Sequence, residues 1–282
     1  MFAIIGIAVV LIAVIGGYLM EHGNLSVLVQ PAELVIIFGA AMGALIISSP
    51  PKVLSMIVKN LGKIISAKTK SKAEYLEALS LLNSIFTKMR KEGLIAIEAD
   101  IENPQDSPIF SKYSSILSNH HALNFICDNL KVIISTNVSS YELENIMELE
   151  METHHRESLI PSQSVSRVAD GLPGLGIVAA VLGVVLTMGK ISEPPEVLGH
   201  SIGSALVGTF LGVLMCYGFV GPMGTNLEHT ANEDSIYFQV IKIALVSFVG
   251  GAAPQIAVEF ARRAIPSKEK PTFNELEQEI RK

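Results

Sequence analysis

The 282-residue sequence has only two cysteines, Cys127 and Cys216, so no disulfide framework holds it together. It also has no excess of positive charge. Against 27 Asp and Glu stand 21 Lys and Arg, a formal net charge of −6 that leaves no basic footprint for nucleic acid. Charge of either sign is scarce: 17% of residues are charged while 49% are hydrophobic. That balance is too apolar for an ordinary soluble domain, yet charged enough to include an aqueous portion. Enzyme signatures are lacking as well: there is no phosphate-cradling Gly-Lys-Ser loop and no Cys-x-x-Cys pair, and no nucleophile elbow is expected. His120-His121 and His154-His155 are adjacent pairs, which point apart on a helix and do not present two metal ligands on one face. The reading is of a non-enzyme without metal or cofactor.

What the sequence has is long uncharged runs. Residues 171–189 and 201–227 carry no charge and each reaches the ~20 residues of a bilayer span. Both are threaded with small residues, Gly176, Ala179, Ala180 and Gly183 in one and Gly203, Gly208, Gly212 and Gly218 in the other, which let helix backbones approach where water supplies no driving force. Phe2–Met20 is a further uncharged run; without a basic leader or a small-residue cleavage site it reads as a retained helix. The run from Ala32 to Ile47 follows Gln30-Pro31 and is the shortest of the spans. Residues 243–258 are uncharged too, but Lys242, Gly250-Gly251 and Pro254 break them up, so a helix on the membrane surface or on a neighbouring subunit is expected there instead of a fifth span.

Lysines set the topology. None lies between the first two spans, whereas Lys52, Lys59, Lys63, Lys68, Lys70 and Lys72 crowd the exit of the second, as cytoplasmic flanks do. The basic stretch 59–72 reads either as a solvated face or as a membrane-surface anchor. The expected fold is an all-α integral membrane protein with four transmembrane helices, a large helical cytoplasmic domain between spans 2 and 3, and a cytoplasmic helical tail. The expected boundaries are 1–47 for the first hairpin, 48–170 for the cytoplasmic domain, 171–225 for the pore-lining hairpin and 226–282 for the tail, with both termini cytoplasmic. Within the domain Tyr75, Leu79, Leu82, Ile85 and Phe86 recur at helical spacing; Gly93 closes that helix, a short one resumes over 94–101, and further helices are expected over 122–134 and from Ser139 and Ser140 onward. No strand pattern is present.

Inside the spans, no Asp, Glu, Lys or Arg is read as lying well within the membrane, although ion translocation needs an ionisable group at that depth. Any path must therefore borrow its carboxylate from a partner. Thr187, Ser201, Ser204 and Thr209 either line such a path or bond their own helix backbones. Pro173 and Pro222 stand near one end of spans 3 and 4; they are either helix punctuation, with Pro173 in a first turn and Pro222 kinking or stopping its helix, or a paired joint.

Six ordered blocks carry a resemblance: residues 16–20 (Gly-Gly-Tyr-Leu-Met), 30–34 (Gln-Pro-Ala-Glu-Leu), 100–104 (Asp-Ile-Glu-Asn-Pro), 172–185, 207–212 (Val-Gly-Thr-Phe-Leu-Gly) and 256–260 (Ile-Ala-Val-Glu-Phe). Together they resemble the MotA family of flagellar stator proteins, within the MotA/TolQ/ExbB proton-channel superfamily. The resemblance implies a homo-oligomeric ring, understood to be a pentamer, in the bacterial inner membrane among its lipids. A single-span MotB-type partner then supplies the intramembrane aspartate. It also implies that Arg90 and Glu98 act on the rotor switch protein FliG, that Pro173 and Pro222 couple ion passage to movement, and that Ala180 and Thr209 line the path. Sodium-driven relatives carry a threonine where Ala180 stands, and one oxygen fewer favours H⁺ over Na⁺. An ExbB/TolQ-like energiser of outer-membrane processes is the alternative, and a membrane scaffold without ion flux is a more distant one.

Overall fold

The computed structural model describes residues 2–66 and 70–281; of the basic stretch, Lys68 and the side chain of Lys63 lie outside what is described. Thirteen α-helices follow one another, with no strand among the described residues. Among the described residues, four stretches are long and apolar enough to cross a membrane: Phe2–Met20, Leu25–Ser48, and parts of Ser140–Met188 and Pro195–Val249. The chain forms two compact units, residues 1–67 with 158–230 and residues 68–157 with 231–282.

The first unit contains α1 (Phe2–Met20), the short α2 (Leu25–Leu28), α3 (Pro31–Ser48) and α4 (Pro51–Ser66). Proline opens both α3 and α4, where its missing N–H is one the first turn leaves unpaired anyway. The membrane part of α9 (Ser140–Met188) and α10 (Pro195–Leu214) complete the hairpin that organises this unit. Its core is small: Ile37 and Ala41 of α3 pack with Leu172, Ala179 and Cys216. Most other large apolar side chains here are exposed, as helices that face lipid or neighbours require; Ile12 is 72% exposed and Val185 62%.

Pro173 does not open a helix. It lies inside the 49-residue α9, which also contains Pro161, so the helix continues through both. Nor does Pro222 stop one. The six residues Met215–Val220 form a π-helical turn, in which the Gly221 N–H reaches the Cys216 carbonyl, and α11 (Gly221–Val249) then carries Pro222 in its first turn. A proline removes an N–H and crowds the carbonyl four residues back, and the wider turn accommodates both effects without breaking the helix.

The second unit is built on α5 (Lys72–Glu92), the short α6 (Glu98–Glu102) and α7 (Ser114–Ser118), and α8 (His120–Ser135). The residues of α9 and α11 that belong to it join them, with α12 (Pro254–Arg263) and α13 (Phe273–Ile280). Ser71 and Glu74 form a capping box at the start of α5, and Gly93, at φ 97°, ends it in a conformation open to glycine. Ser139 and Glu142 satisfy the first turn of α9 in the same reciprocal way. The core is continuous: Phe86 stacks on Phe248 at 4.3 Å, Tyr75 meets Tyr237 at 5.4 Å and Phe125 meets Phe238 at 5.0 Å. Lys242, 5% exposed, is paired with Glu148. The C-terminal helices pack into this core through Val240, Ile241, Ala257, Val258 and Leu276, where the sequence suggested a helix on a membrane surface or on a neighbouring subunit.

Candidate functional site

Two groups of side chains stand out, one in each unit. In the first, α9 and α10 approach backbone to backbone. A Cβ on Gly176 would lie 2.7 Å from the Gly208 carbonyl oxygen, and one on Gly212 would lie 2.5 Å from the Leu172 oxygen. No side chain fits there, so glycine is obligatory on both faces. Ala180 belongs to this seam: it is 8% exposed, and its amide nitrogen would be 3.1 Å from a Cβ on Gly208. Thr209, the next residue along, is half-buried. The hydroxyl of Thr187 donates to the Gly183 carbonyl of its own helix, at 2.8 Å. Ser204 instead accepts from the side chain of Gln30 at 3.0 Å, tying α10 to the segment before α3.

The seam also holds a carboxylate. Glu33, third residue of α3, is 8% exposed, and its Oε2 has no hydrogen-bond partner among the described residues. A Cβ on Gly208 would come within 2.5 Å of that oxygen, and one on Gly183 within 3.5 Å of Oε1. The expectation was that no ionisable residue lies well within the spans; Glu33, in the first turn of α3, is nonetheless buried against the other helices. Standing two residues after a proline at the mouth of an apolar run, Glu33 reads in sequence as a first-turn acid facing water. Its side chain turns onto the glycine faces of two other helices instead. The signal was there in the pairing of a span-edge acid with glycines, but only packing shows that they meet.

Beside the π turn, a groove of about 600 Å³ is bordered by Asp170, Cys216, Pro222, Asn226 and His229. Asn226 Oδ1 is buried there without a partner among the described residues. The residues Gly199-His-Ser-Ile-Gly203 spell the five-letter pattern of a nucleophile elbow, yet they sit inside α10, far from the strand-to-helix turn that elbow chemistry requires.

In the second unit, Arg90 occupies the last turn of α5 and Glu98 opens α6; both are exposed, and no ion pair joins them among the described residues. Arg90 makes one long bond, 3.4 Å, to the Ala252 carbonyl. Between them Leu94 and Ile95 are 47% and 69% exposed, so an apolar ridge separates the two charges. The turn is pinned from below: the buried Asp100 accepts from Lys88 at 2.8 Å and from the Ser107 hydroxyl at 2.6 Å. His121 and His154 meet edge to face at 5.2 Å, and no cluster of metal-ligating side chains occurs among the described residues.

Comparison with known proteins fits this arrangement. Residues 4–93 match the Motility protein A N-terminal model, and residues 117–239 match that of the MotA/TolQ/ExbB proton channel family. Motility protein A of Escherichia coli strain K12 is 44% identical over 281 residues, which cover 100% of this chain and 95% of the relative. Chemotaxis protein LafT of Vibrio parahaemolyticus is 36% identical over 273 residues, covering 97% and 96% of the two chains. Among solved structures, C. jejuni MotAB shares the fold at TM-score 0.79 with 18% identity, over 96% of this chain and 98% of that one. The flagellar MotAB stator complex from Bacillus subtilis does so at TM-score 0.75 with 23% identity, over 95% and 96%. With likeness at this level running end to end, the chain belongs to the motility protein A family of the MotA/TolQ/ExbB proton channels.

Proposed function

We propose that this chain is the stator subunit of a bacterial flagellar motor, which together with a single-span MotB-type partner lets protons cross the inner membrane and turns their flow into torque. The observation that carries this reading is the coexistence, in one chain, of a glycine-packed membrane hairpin and a separately cored helical unit that presents Arg90 and Glu98 on an apolar-edged turn. It is supported by the family to which the chain belongs and by the naming of its relatives for motility.

In this reading copies of the chain form a ring around the partner, in contact with lipid. The partner's aspartate takes up the proton beside the seam of α9 and α10, with Ala180 and Thr209 lining the way. Lysine placement supports a cytoplasmic location for both termini, the unit containing Arg90 and the tail. Protonation changes how the hairpin packs, Pro173 and the π turn before Pro222 absorb the change, and Arg90 and Glu98 act on FliG through charge. The transported ion is H⁺, since Ala180 offers no oxygen to the several that Na⁺ needs. An ExbB- or TolQ-like energiser would share the segment 117–239, but the match over residues 4–93 is to a motility model and includes α5 with Arg90.

The test is swimming of a stator-deleted strain supplied with this chain and its cognate partner, with external sodium varied at fixed pH and a protonophore added separately. Speed that ignores sodium and collapses with the protonophore is expected. Speed that follows sodium would overturn the ion assignment, and absence of rescue would overturn the motor assignment.

A further inference from the structure

Glu33 has a place in the membrane unit that the packing role of its neighbours does not explain. Its carboxylate is 8% exposed, and its Oε2 is without a hydrogen-bond partner among the described residues. It rests on Gly208, whose lack of a side chain makes the room it occupies, and beside Gly183. Gly208 lies thirteen residues after the start of α10, about 20 Å along its axis, and Gly183 lies five residues before the end of α9. A carboxylate enclosed between apolar helices is tolerated as the neutral acid, or as an anion only with a compensating cation close by. The segments touching it supply none. Glu33 is the only ionisable residue of α3, residues 171–188 of α9 have none, and Glu196 and His200 of α10 stand twelve and eight residues before Gly208. One turn nearer the helix start, Gln30 is bonded to Ser204, so polar groups form a short ladder along the same contact of α3 with α10.

We infer that Glu33 is a proton-binding site of this chain's own, lying on the entry side of the path and loading the proton that the partner's carboxylate then receives. The inference rests on the proton-path reading above. Two transfers make up the step. Hydronium from the outer side gives its proton to Oε2, leaving water and a neutral acid. The acid then passes that proton through intervening water to the ionised partner carboxylate, and Glu33 returns to the anion as the partner becomes neutral. The neutral acid is the resting form and the anion lasts only from release of one proton to capture of the next, while the bare oxygen lacks a fixed hydrogen bond that would hold its proton in place.

The experiment uses the complete complex of this chain with its partner, in cells and in vesicles carrying an internal pH dye, across a range of external pH. Glu33→Gln keeps the shape of the side chain and cannot carry the proton. A positioned proton-transfer group contributes roughly 10²–10⁴-fold in rate, so flux and swimming speed are expected to fall on the order of ten-fold or more with membrane levels unchanged. Glu33→Asp, which withdraws the acid by one methylene, is expected to keep flux but shift its dependence on external pH. Wild-type flux and an unshifted pH profile in Glu33→Gln would overturn the inference. If Glu33→Gln fails to accumulate, the Glu33→Asp profile decides, and an unshifted profile overturns it. A wild-type complex that conducts no protons at all would remove the underlying path reading, an outcome distinct from loss in the variants alone.

Discussion

Arg90 and Glu98 are presented, not stored: both are exposed, unpaired with each other, and set on either side of Leu94 and Ile95. An exposed ion pair contributes only ~0–1 kcal/mol to stability, so neither charge is needed for the fold. What fixes their direction is the turn between them. Gly93 at φ 97° reverses the chain, and Asp100, buried between Lys88 and Ser107, locks α6 against α5. Charge-assisted bonds of this kind contribute roughly 1.5–3 kcal/mol each, which makes the platform stiff while its outer charges stay available. Arg90→Glu is therefore expected to leave membrane levels and thermal unfolding of the chain unchanged. Placing like charge at a contact costs several kcal/mol, so swimming of the rescued strain is expected to be largely lost. Normal swimming with this variant would show that the charge at position 90 has no part in the rotor contact.

Among the elements, the α9–α10 hairpin is held by what it omits. Where a Cβ at Gly212 would meet the Leu172 carbonyl at 2.5 Å, the obstacle is backbone and cannot rotate away. Gly212→Ala is expected to force the helices apart at a cost of about 1–3 kcal/mol or more, read as loss of the assembled complex on native gels. Gly203→Ala, with nothing within 4 Å of its added carbon, is expected to assemble normally. Proline has the opposite logic. Pro173→Ala restores a backbone bond inside α9 and stiffens it, so the complex should assemble at wild-type level while rotation of tethered cells slows; loss of assembly instead would make the proline purely structural. Much of this was legible in the sequence: the four apolar runs became helices long enough to span, Gly176, Gly183, Gly208 and Gly212 of the small-residue stripes mark the helix contact while Gly203 meets nothing, and Tyr75, Leu79, Leu82, Ile85 and Phe86 entered a core. Helix continuity was not. Proline alone suggests a boundary, and whether a long helix runs through it depends on a π turn before it or on packing around it, neither of which local composition encodes.

Taken whole, the molecule keeps each of its two units around its own core, and α9 and α11 contribute residues to both. Helical periodicity alone did not assign the last fifty residues to the core of the second unit, because their apolar faces fit a membrane surface and a protein core equally well. The burial of Glu33 is not legible for a related reason: whether an acid in a helix's first turn is covered depends on its neighbours' side chains as much as on its position along its own helix. Burial of a titratable group also gives the second unit a dependence on pH. His154 sits against Phe238 at 4.9 Å and beside His121, and burial, followed by the His121 charge, lowers its affinity for a proton below the ordinary 6.5; Asp234 and Glu157 oppose this, and His155 adds to it. With the folded value depressed, the unfolded chain binds more protons than the folded one as pH falls below about 6.5, so this part of the stability is complete above that pH and is lost below it. Amide exchange in α8 and in α11 residues 231–249 of the full chain is expected to accelerate between pH 7 and pH 5 once corrected for intrinsic chemistry. His154→Phe keeps the aromatic contact and removes the proton site, and it should flatten that dependence. An unchanged slope in this variant would assign the acid sensitivity to other groups.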